Sequence, residues 1–322
     1  MAAAALALPI AAWAGDNQNA LHPASKQEHS ISVLWWVMLV GCSIGFGVIV
    51  ILLFLGWVRR NRDYLPFGGR DRAGTAIVLG LGVFVPIVIL SLLFVWSDLY
   101  VIKTTEAPAA NSTPMSVKVI GHDWWWEIRY PGTRAVTANE IHIPVRTRVD
   151  MLGTTADVIH SFWVPELGPK MDMLPGKTNR LRLFVHRAGS YDGQCAEFCG
   201  VEHAWMRIRV VAETQTEFDH WLSGQGLPTP AQGNAGERVF LSNICVSCHT
   251  IRGTAAVGTA GPDLTHVGAR AMIGAGALAN DTARMRAWLA DPQRYKPGSL
   301  MPRVPLSDAD LDALAAYLVS LK

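Results

Sequence analysis

The chain has 322 residues, of which 50% are apolar and only 17% charged, a balance skewed toward proteins that lie partly in lipid. Its 28 Lys and Arg against 26 Asp and Glu leave a formal charge of +2, too small a field to hold a polyanion, so nucleic acid is excluded as a partner. Twelve Trp, ten Met and ten His beside five Cys are a large stock of metal ligands, and their distribution carries the functional reading.

In chain order, residues 1–14 are apolar and end in Ala12-Trp13-Ala14 before Gly15, which predicts a signal peptide that lacks the usual basic start. An exported segment, 15–30, follows. A transmembrane helical hairpin is expected over 31–98. Residues 31–58 and 73–97 carry no charged side chain, and at 1.5 Å per residue each makes a helix of about 40 Å, enough to cross a bilayer. Pro86 is no obstacle in such a helix, and Trp35, Trp36, Trp57 and Trp96 lie near the ends, where interfacial aromatics collect. The connection holds five Arg (Arg59, Arg60, Arg62, Arg70, Arg72) against two Asp, which places it in the cytoplasm, and both termini and both later domains on the outer face. Cys42, inside the first span, reads as a small membrane-buried hydrophobe.

Residues 99–222 read as a strand domain. Val117 and Val119, Ile141 and Ile143, Leu181, Leu183 and Val185, and Met206, Ile208 and Val210 alternate with polar neighbours, and Pro131-Gly132 and Pro175-Gly176 mark turns, predicting an antiparallel sandwich or barrel. It holds His160 and then Cys195, Glu197, Cys199, His203 and Met206 within one loop. Thiolates, imidazoles and a thioether form a soft set suited to copper, with the Glu197 carbonyl able to complete it. A tetrahedral Cys2His2 zinc site and a disulfide between the two Cys are the alternatives, although zinc leaves Met206 without a role. Residues 223–234, rich in Gly, Pro and Gln, have the composition of a flexible linker.

From 235 to 322 the pattern is helical. Gly236 and Phe240 belong to a short helix, while Leu311, Leu314, Ala315, Leu318 and Leu321 follow helical spacing behind a cap formed by Ser307 and Asp310. Between them, Cys245, Cys248 and His249 form the C-x-x-C-H run, in which two thiols take haem vinyls and the imidazole an axial iron position. Met301, on a Pro-bounded loop, is the expected sixth ligand; Met272 and Met285 lie in stretches more easily packed as helix. His22, His29, His142, His186, His220 and His266 have no motif company and read as surface or satisfied side chains, and Lys170 and Asp172 could pair.

The order of a two-span hairpin, a strand domain carrying HSFWVP and CAEFCG with His203 and Met206, and a trailing C-x-x-C-H resembles subunit II of a haem-copper cytochrome c oxidase with a cytochrome c domain fused at its C-terminus. The match runs from residue 31 through Gly121 to Trp126, Asp157 to Pro165, Lys170 to Gly176 and the haem-domain segments Gly261 to Leu264 and Val267 to Arg270. The resemblance implies a multi-domain membrane protein made of a transmembrane hairpin, an all-β cupredoxin domain and an all-α class I cytochrome c domain. It implies binuclear CuA on His160, Cys195, the Glu197 carbonyl, Cys199, His203 and Met206. It further implies magnesium at the Glu197 side chain, Trp124 as the point where electrons enter, and haem c on Cys245, Cys248, His249 and Met301.

The expected function is that of a terminal oxidase's electron-receiving subunit. Electrons would pass from a cytochrome c or cytochrome bc complex, by way of haem c and CuA, to subunit I, where oxygen is reduced and protons are pumped; no catalytic residue for that reduction is in this chain. Subunit III and membrane lipid are the other expected partners, in a bacterial cytoplasmic membrane. One departure is that the second span lacks the early Glu found in many members, Asp71 being the nearest carboxylate. That keeps open the CuA subunit of a nitric oxide reductase, beside a stand-alone membrane-anchored electron shuttle.

Overall fold

A computed structural model describes residues 18–59, 71–107, 109 and 112–322. The predicted signal peptide, 1–14, and the arginines between the spans, from Arg60 to Arg70, lie outside the described residues. The chain divides into two compact units, His29–Glu106 and a second composed of Met1–Glu28 with Ala107–Lys322.

In the first unit α1 (Lys26–Arg59) runs unbroken through the first predicted span. The second span is longer than predicted, Gly74 to Thr105. Here α2 (Asp71–Leu79) passes through a π turn, Gly80–Phe84, into α3 (Val85–Trp96), and a second π turn, Ser97–Ile102, leads to α4 (Lys103–Thr105). Pro86 sits in the first turn of α3 directly after the widened π turn, so its missing N–H breaks no regular helical bond. Apolar side chains face outward along both helices, with Phe46 71% and Phe94 72% exposed, as an element solvated by lipid requires.

The second unit opens on the strand domain. Its first sheet has the order β3-β2-β1-β5-β8, from β1 (Met115–His122), β2 (Trp125–Arg129), β3 (Val136–Ala138), β5 (Val149–Thr155) and β8 (Asn179–Leu183). The second is β4-β10-β9-β6-β7, from β4 (Glu140–Pro144), β6 (His160–Trp163), β7 (Met171–Met173), β9 (Gly189–Cys195) and β10 (Arg207–Glu213). The alternating residues identified in the sequence do face inward: Val117, Val119, Ile141, Ile143, Leu183, Ile208 and Val210 join Trp126 and Phe162 in one core. The sandwich is not purely antiparallel, because β1 pairs with β5 and β10 with β4 in parallel. The chain between each pair crosses to the other sheet before returning, which lets strands distant in sequence lie side by side in the same sense.

After β10, α5 (Gln215–Gln225) is capped by Thr214 and Glu217, each bonded to the other's backbone. The connector 223–234 is more ordered than its composition suggests. Its first residues close α5, and Thr229 is buried, its N–H donating to Arg252 O at 2.9 Å and its hydroxyl to Thr265 O at 2.7 Å.

The helical domain follows with α6 (Ala235–Ser242), α7 (Cys245–Cys248), a two-stranded ribbon of β11 (Met272–Ile273) and β12 (Leu278–Ala279), then α8 (Thr282–Ala290), α9 (Pro292–Tyr295) and α10 (Asp308–Ser320). Ser307 caps α10 by accepting from Asp310 N at 3.1 Å, as its spacing predicts. Phe240 from α6 packs with Leu314, Ala315 and Leu318 of α10, and α6 approaches so closely at Gly236 that any side chain there would strike the Ala313 carbonyl. Met285 lies in helix as expected. Met272 does not: the positive backbone angles of Gly274, Ala275 and Gly276 turn the chain into a ribbon there.

Candidate functional site

The strand domain delivers its ligands from three places. β6 opens with His160, β9 ends with Cys195, and the following loop carries Cys199 before a 3-10 turn, His203–Trp205, presents His203 and leads to Met206. The loop is stitched down by Cys195 N donating to Met206 O and Ala196 N to Ser161 O, both at 2.9 Å.

These contacts bring the side chains together. His160 Nδ1 lies 3.9 Å from Cys195 Sγ, and the two Sγ atoms are 3.8 Å apart, far beyond a disulfide bond. His203 Nδ1 is 3.6 Å and Met206 Sδ 3.9 Å from Cys199 Sγ, while the Glu197 carbonyl is 3.2 Å from Cys195 Sγ. Five soft side-chain donors and one carbonyl, with His160, Cys195, Cys199 and Met206 buried, fit a copper site better than a four-ligand zinc site, which would use neither thioether nor carbonyl.

Electrostatics point the same way. The hydrogen bond from Cys199 holds the Cys195 thiol well below the usual thiol range against burial, and the Cys195 sulfur in turn, with burial, pushes the Cys199 thiol up. Left to themselves the two sulfurs keep one proton between them, and cationic charge of the kind a bound metal supplies is what would let both ionise.

The outer contacts of this site were less legible. Asp157 Oδ1 is 2.8 Å from His160 Nε2, which turns Nδ1 toward the sulfurs. Burial opposes charge on His160, but its hydrogen bonds with Cys195 and Asp157 prevail and raise its pKa. Beneath the ring lies Gly121, where an added Cβ would sit 2.6 Å from His160 Cδ2. In the sequence Asp157 is marked only by its place three residues before His160, at the start of the segment Asp157 to Pro165.

The three consecutive Trp divide their work. Trp126 is fully buried, edge-on to His160 at 5.9 Å; Trp125 stacks on His122 at 4.4 Å; Trp124 Nε1 donates to Cys199 O at 2.8 Å. Trp126 Nε1 also donates to the ligand loop, to Met206 O at 3.4 Å, and Trp124 is the one bonded to the carbonyl of a cysteine. Glu197 faces two ways, its carbonyl toward Cys195 and its half-exposed carboxylate 3.5 Å from Lys170 Nζ, which also pairs with Asp172 at 3.0 Å.

In the helical domain, α7 places Cys245 and Cys248 on one turn, both free thiols. His249 Nδ1 donates to Pro262 O at 2.8 Å, leaving Nε2 as the available ligand atom, and burial lowers its pKa, so the imidazole is neutral as iron requires. Met301 packs against the edge of the helical core on a loop braced by Gln293, whose Nε2 donates to Ser299 O and Met301 O. Met285 is only 3% exposed inside that core, and Met272 faces a small cleft shared with Glu140 and Arg207 of the strand domain. Arg270, buried, keeps its Nε without a protein partner, a cationic donor of the kind a haem carboxylate takes. The donor set therefore fits haem c.

The two domains touch at this level. Lys296 Nζ donates to Trp124 O at 2.5 Å and Trp205 O at 3.1 Å, Ala271 N to Glu140 Oε2 at 3.1 Å, and Arg207 N to Ala275 O at 3.1 Å. Of the unmotivated histidines, His142 is held between Glu140 at 3.1 Å and Glu213 at 3.0 Å, and His266 Nε2 lies 3.0 Å from Leu227 O.

A membrane-anchored chain with a soft metal-ligand cluster in a sandwich and a C-x-x-C-H helical domain defines the class of copper- and haem-bearing electron-transfer proteins. The family described as cytochrome c oxidase subunit II, periplasmic domain, matches residues 134–213, and the cytochrome c family matches residues 234–322. The cytochrome c oxidase subunit 2 of Alkalihalophilus pseudofirmus is 33% identical over 318 residues, covering 95% of this chain and 92% of the relative. That of Bacillus subtilis is 30% identical over 259 residues, covering 74% and 72%. The crystal structure of the periplasmic domain of subunit II of cytochrome oxidase from Bradyrhizobium japonicum is 29% identical, covering 37% of this chain and 95% of that one, with a TM-score of 0.35.

This chain belongs to the family of cytochrome c oxidase subunit II with a fused cytochrome c domain. It is a component of a haem-copper oxidase, working with subunit I as a membrane-anchored protein with periplasmic domains. Membership brings copper as CuA and a haem c.

Proposed function

We propose that the chain receives electrons from a cytochrome c or cytochrome bc complex at its haem domain and delivers them through its copper domain to the oxygen-reducing subunit I. The observation that carries this reading is the convergence of His160, Cys195, Cys199, His203 and Met206, no neighbouring pair more than 3.9 Å apart, in the same compact unit as the C-x-x-C-H helix. When bound, the two groups supply one-electron storage, tuned upward at the haem by a thioether ligand.

The chain's residues do the rest. Cys195, Cys199, His160, His203, Met206 and the Glu197 carbonyl would hold the copper, the two thiolates supplying the negative charge that offsets it. Asp157 and Trp126 hold the His160 ring in place, and the sheet around it excludes water. Cys245 and Cys248 would attach the haem, and His249 and Met301 would supply its iron ligands. Trp124, bonded through Nε1 to the carbonyl of Cys199, joins the outer face of the domain to the site and is the point where electrons enter it. The Glu197 carboxylate, turned outward beside Lys170, is the group that would take magnesium at the boundary with subunit I. Subunit III completes the complex, in a bacterial cytoplasmic membrane with both termini on the outer face. The domain limits we adopt are a leader over 1–14, an exported segment 15–30, a hairpin 31–98, a cupredoxin domain 99–222, a connector 223–234 and a cytochrome domain 235–322.

The experiment is to purify the complex through this chain, identify its largest partner, and measure oxygen and nitric oxide consumption side by side. Oxygen uptake with a haem-copper partner is the expected result. Nitric oxide consumption without oxygen uptake would overturn the acceptor, and a chain that emerged alone with full copper and haem would overturn the oxidase assembly.

A further inference from the structure

Two cations of the haem domain donate into the strand domain: Arg252, whose Nη1 reaches Arg134 O at 3.0 Å while its other donors stay with Thr265, Gln225 and Gly226, and Lys296, which bonds only across the boundary. Lys296 is 4% exposed, and its ammonium is seated between the backbone carbonyls of Trp124 and Trp205. These carbonyls belong to the two walls of the copper loop: Trp124 is bonded to Cys199, and Trp205 precedes Met206. Glu202, 1% exposed and with one carboxylate oxygen lacking a partner, adds a negative group on the same side. Burial draws the Lys296 ammonium down to about 8, against the field of Glu202, which leaves it cationic at neutral pH. A buried lysine is tolerated only where its charge is bonded, and here every acceptor comes from the other domain.

The segment carrying Lys296 is built for this contact. Its N–H donates to Pro292 O at 2.9 Å, ending α9, and Gln293 accepts from Gly298 N at 2.9 Å while donating to Ser299 O and Met301 O. Gly298, with φ of +95°, makes the turn and meets Val201 of the copper loop so closely that an added Cβ would stand 2.8 Å from Val201 Cγ2. Lys296 and Met301 are therefore the two ends of one braced loop.

We propose that Lys296 is a docking latch: by seating its ammonium between the carbonyls of Trp124 and Trp205 it holds the Met301 loop of the haem domain on the copper loop, and so positions the two redox sites for electron transfer between them. Its consequence for electron transfer rests on the functional reading above; the latch itself does not. The connector then supplies proximity, while Lys296 selects one arrangement among those the connector allows.

The test uses the purified complex and two readouts. Ala271 N and Arg207 N make hydrogen bonds across the domain boundary to atoms that Lys296 does not touch, so their amide exchange reports docking; Ala271 adjoins no copper ligand and is the readout independent of the metal, while Arg207, next to Met206, reports the copper-loop side. Lys296→Met, which keeps length and loses the donors, is expected to speed exchange at both amides by about 10–100-fold and to slow haem-to-copper transfer by about tenfold or more, with the copper and haem spectra unchanged. If that variant fails to assemble, Lys296→Gln is read in the same way. Exchange at Ala271 and Arg207 that stays at the wild-type rate would overturn the latch. Faster exchange with an unchanged transfer rate would overturn its positioning role. A chain found to carry no copper would overturn the functional reading and leave the exchange result standing.

Discussion

Gly121 forms the floor under His160, and filling it is the sharpest perturbation of the copper site that leaves every ligand in place. In Gly121→Ala the new methyl would stand 2.6 Å from His160 Cδ2 and 3.0 Å from Cγ, so the ring must retreat by about 0.8 Å to reach ordinary contact at 3.4 Å. It has little room to do so, being wholly buried, tied to Asp157 at 2.8 Å and edge-on to Trp126. Overpacking of this kind costs about 1–3 kcal/mol. Displacing one ligand by nearly an ångström from a preorganised set should weaken copper retention about 10–100-fold, the loss expected when an outer contact of a metal ligand is removed. The assay is copper content of the full-length chain against a graded chelator, alongside unfolding of the metal-free form. Gly224→Ala is the control, since an added Cβ there meets nothing within 4 Å. If Gly121→Ala kept copper as tightly as wild type and lost no metal-free stability, the packing account of His160 would be wrong.

Three further outcomes are expected. Met301→Leu should lower the haem potential by on the order of 0.1 V, within the ~0.8 V that axial ligation spans, with covalent attachment intact; Met285→Leu, changed within the helical core, should leave it in place, and an unaltered potential in the first would remove Met301 as ligand. Burial opposes charge on His142, but its bonds to Glu140 and Glu213 raise its pKa above the ordinary 6.5, while the bond from His142 holds Glu140 below the ordinary 4.5 against burial. The histidine's contribution is therefore complete below pH 6.5 and lost as pH rises through its raised pKa, and the carboxylate's is present above pH 4.5 and lost as pH falls. Denaturation midpoints should show His142→Ala costing about 3 kcal/mol near pH 5–6, because the buried Glu140 and the partly buried Glu213 lose their partner, and less at pH 9; a cost independent of pH would refute the pairing. Asp157→Asn, which weakens the hold on His160 Nε2, should reduce copper affinity about 10–100-fold in a chelator titration while leaving haem content unchanged; undiminished affinity would remove Asp157 from the site.

Local motifs were the most legible part of this chain. Cys195, Cys199, His203 and Met206 lie within one loop, and Cys245, Cys248 and His249 within one turn, so their spacing alone announces a shared target. His160 joins the first group as a second imidazole of the same strand domain, on donor chemistry and not on spacing, since sheet pairing brings it there from 35 residues away. The alternation of Val117 with Val119 and of Ile208 with Val210 revealed the sandwich, but period-two patterning carries no strand direction, and the parallel pairs β1 with β5 and β10 with β4 were invisible. The connector looked like a free tether because Gly, Pro and Gln dominate it. Its order comes from Thr229 bonding to Arg252 and Thr265, contacts made by chain far downstream. Met272 sits in a stretch that its sequence suits to helix, whereas the backbone of Gly274 to Gly276 turns it into a ribbon. Lys296 gave no signal at all: a lysine before Pro-Gly reads as a solvated turn residue, and only the docking of two domains makes it a buried cation.

Every role proposed above depends on one chain holding a copper pair and a covalent haem in one compact unit. Metal and haem analysis of the purified complex tests it most directly. The account predicts two coppers and one thioether-linked haem for each copy of this chain, with Cys199→Ser losing the copper while the haem stays. One zinc per chain in place of copper, or copper that survives the loss of Cys199, would contradict it.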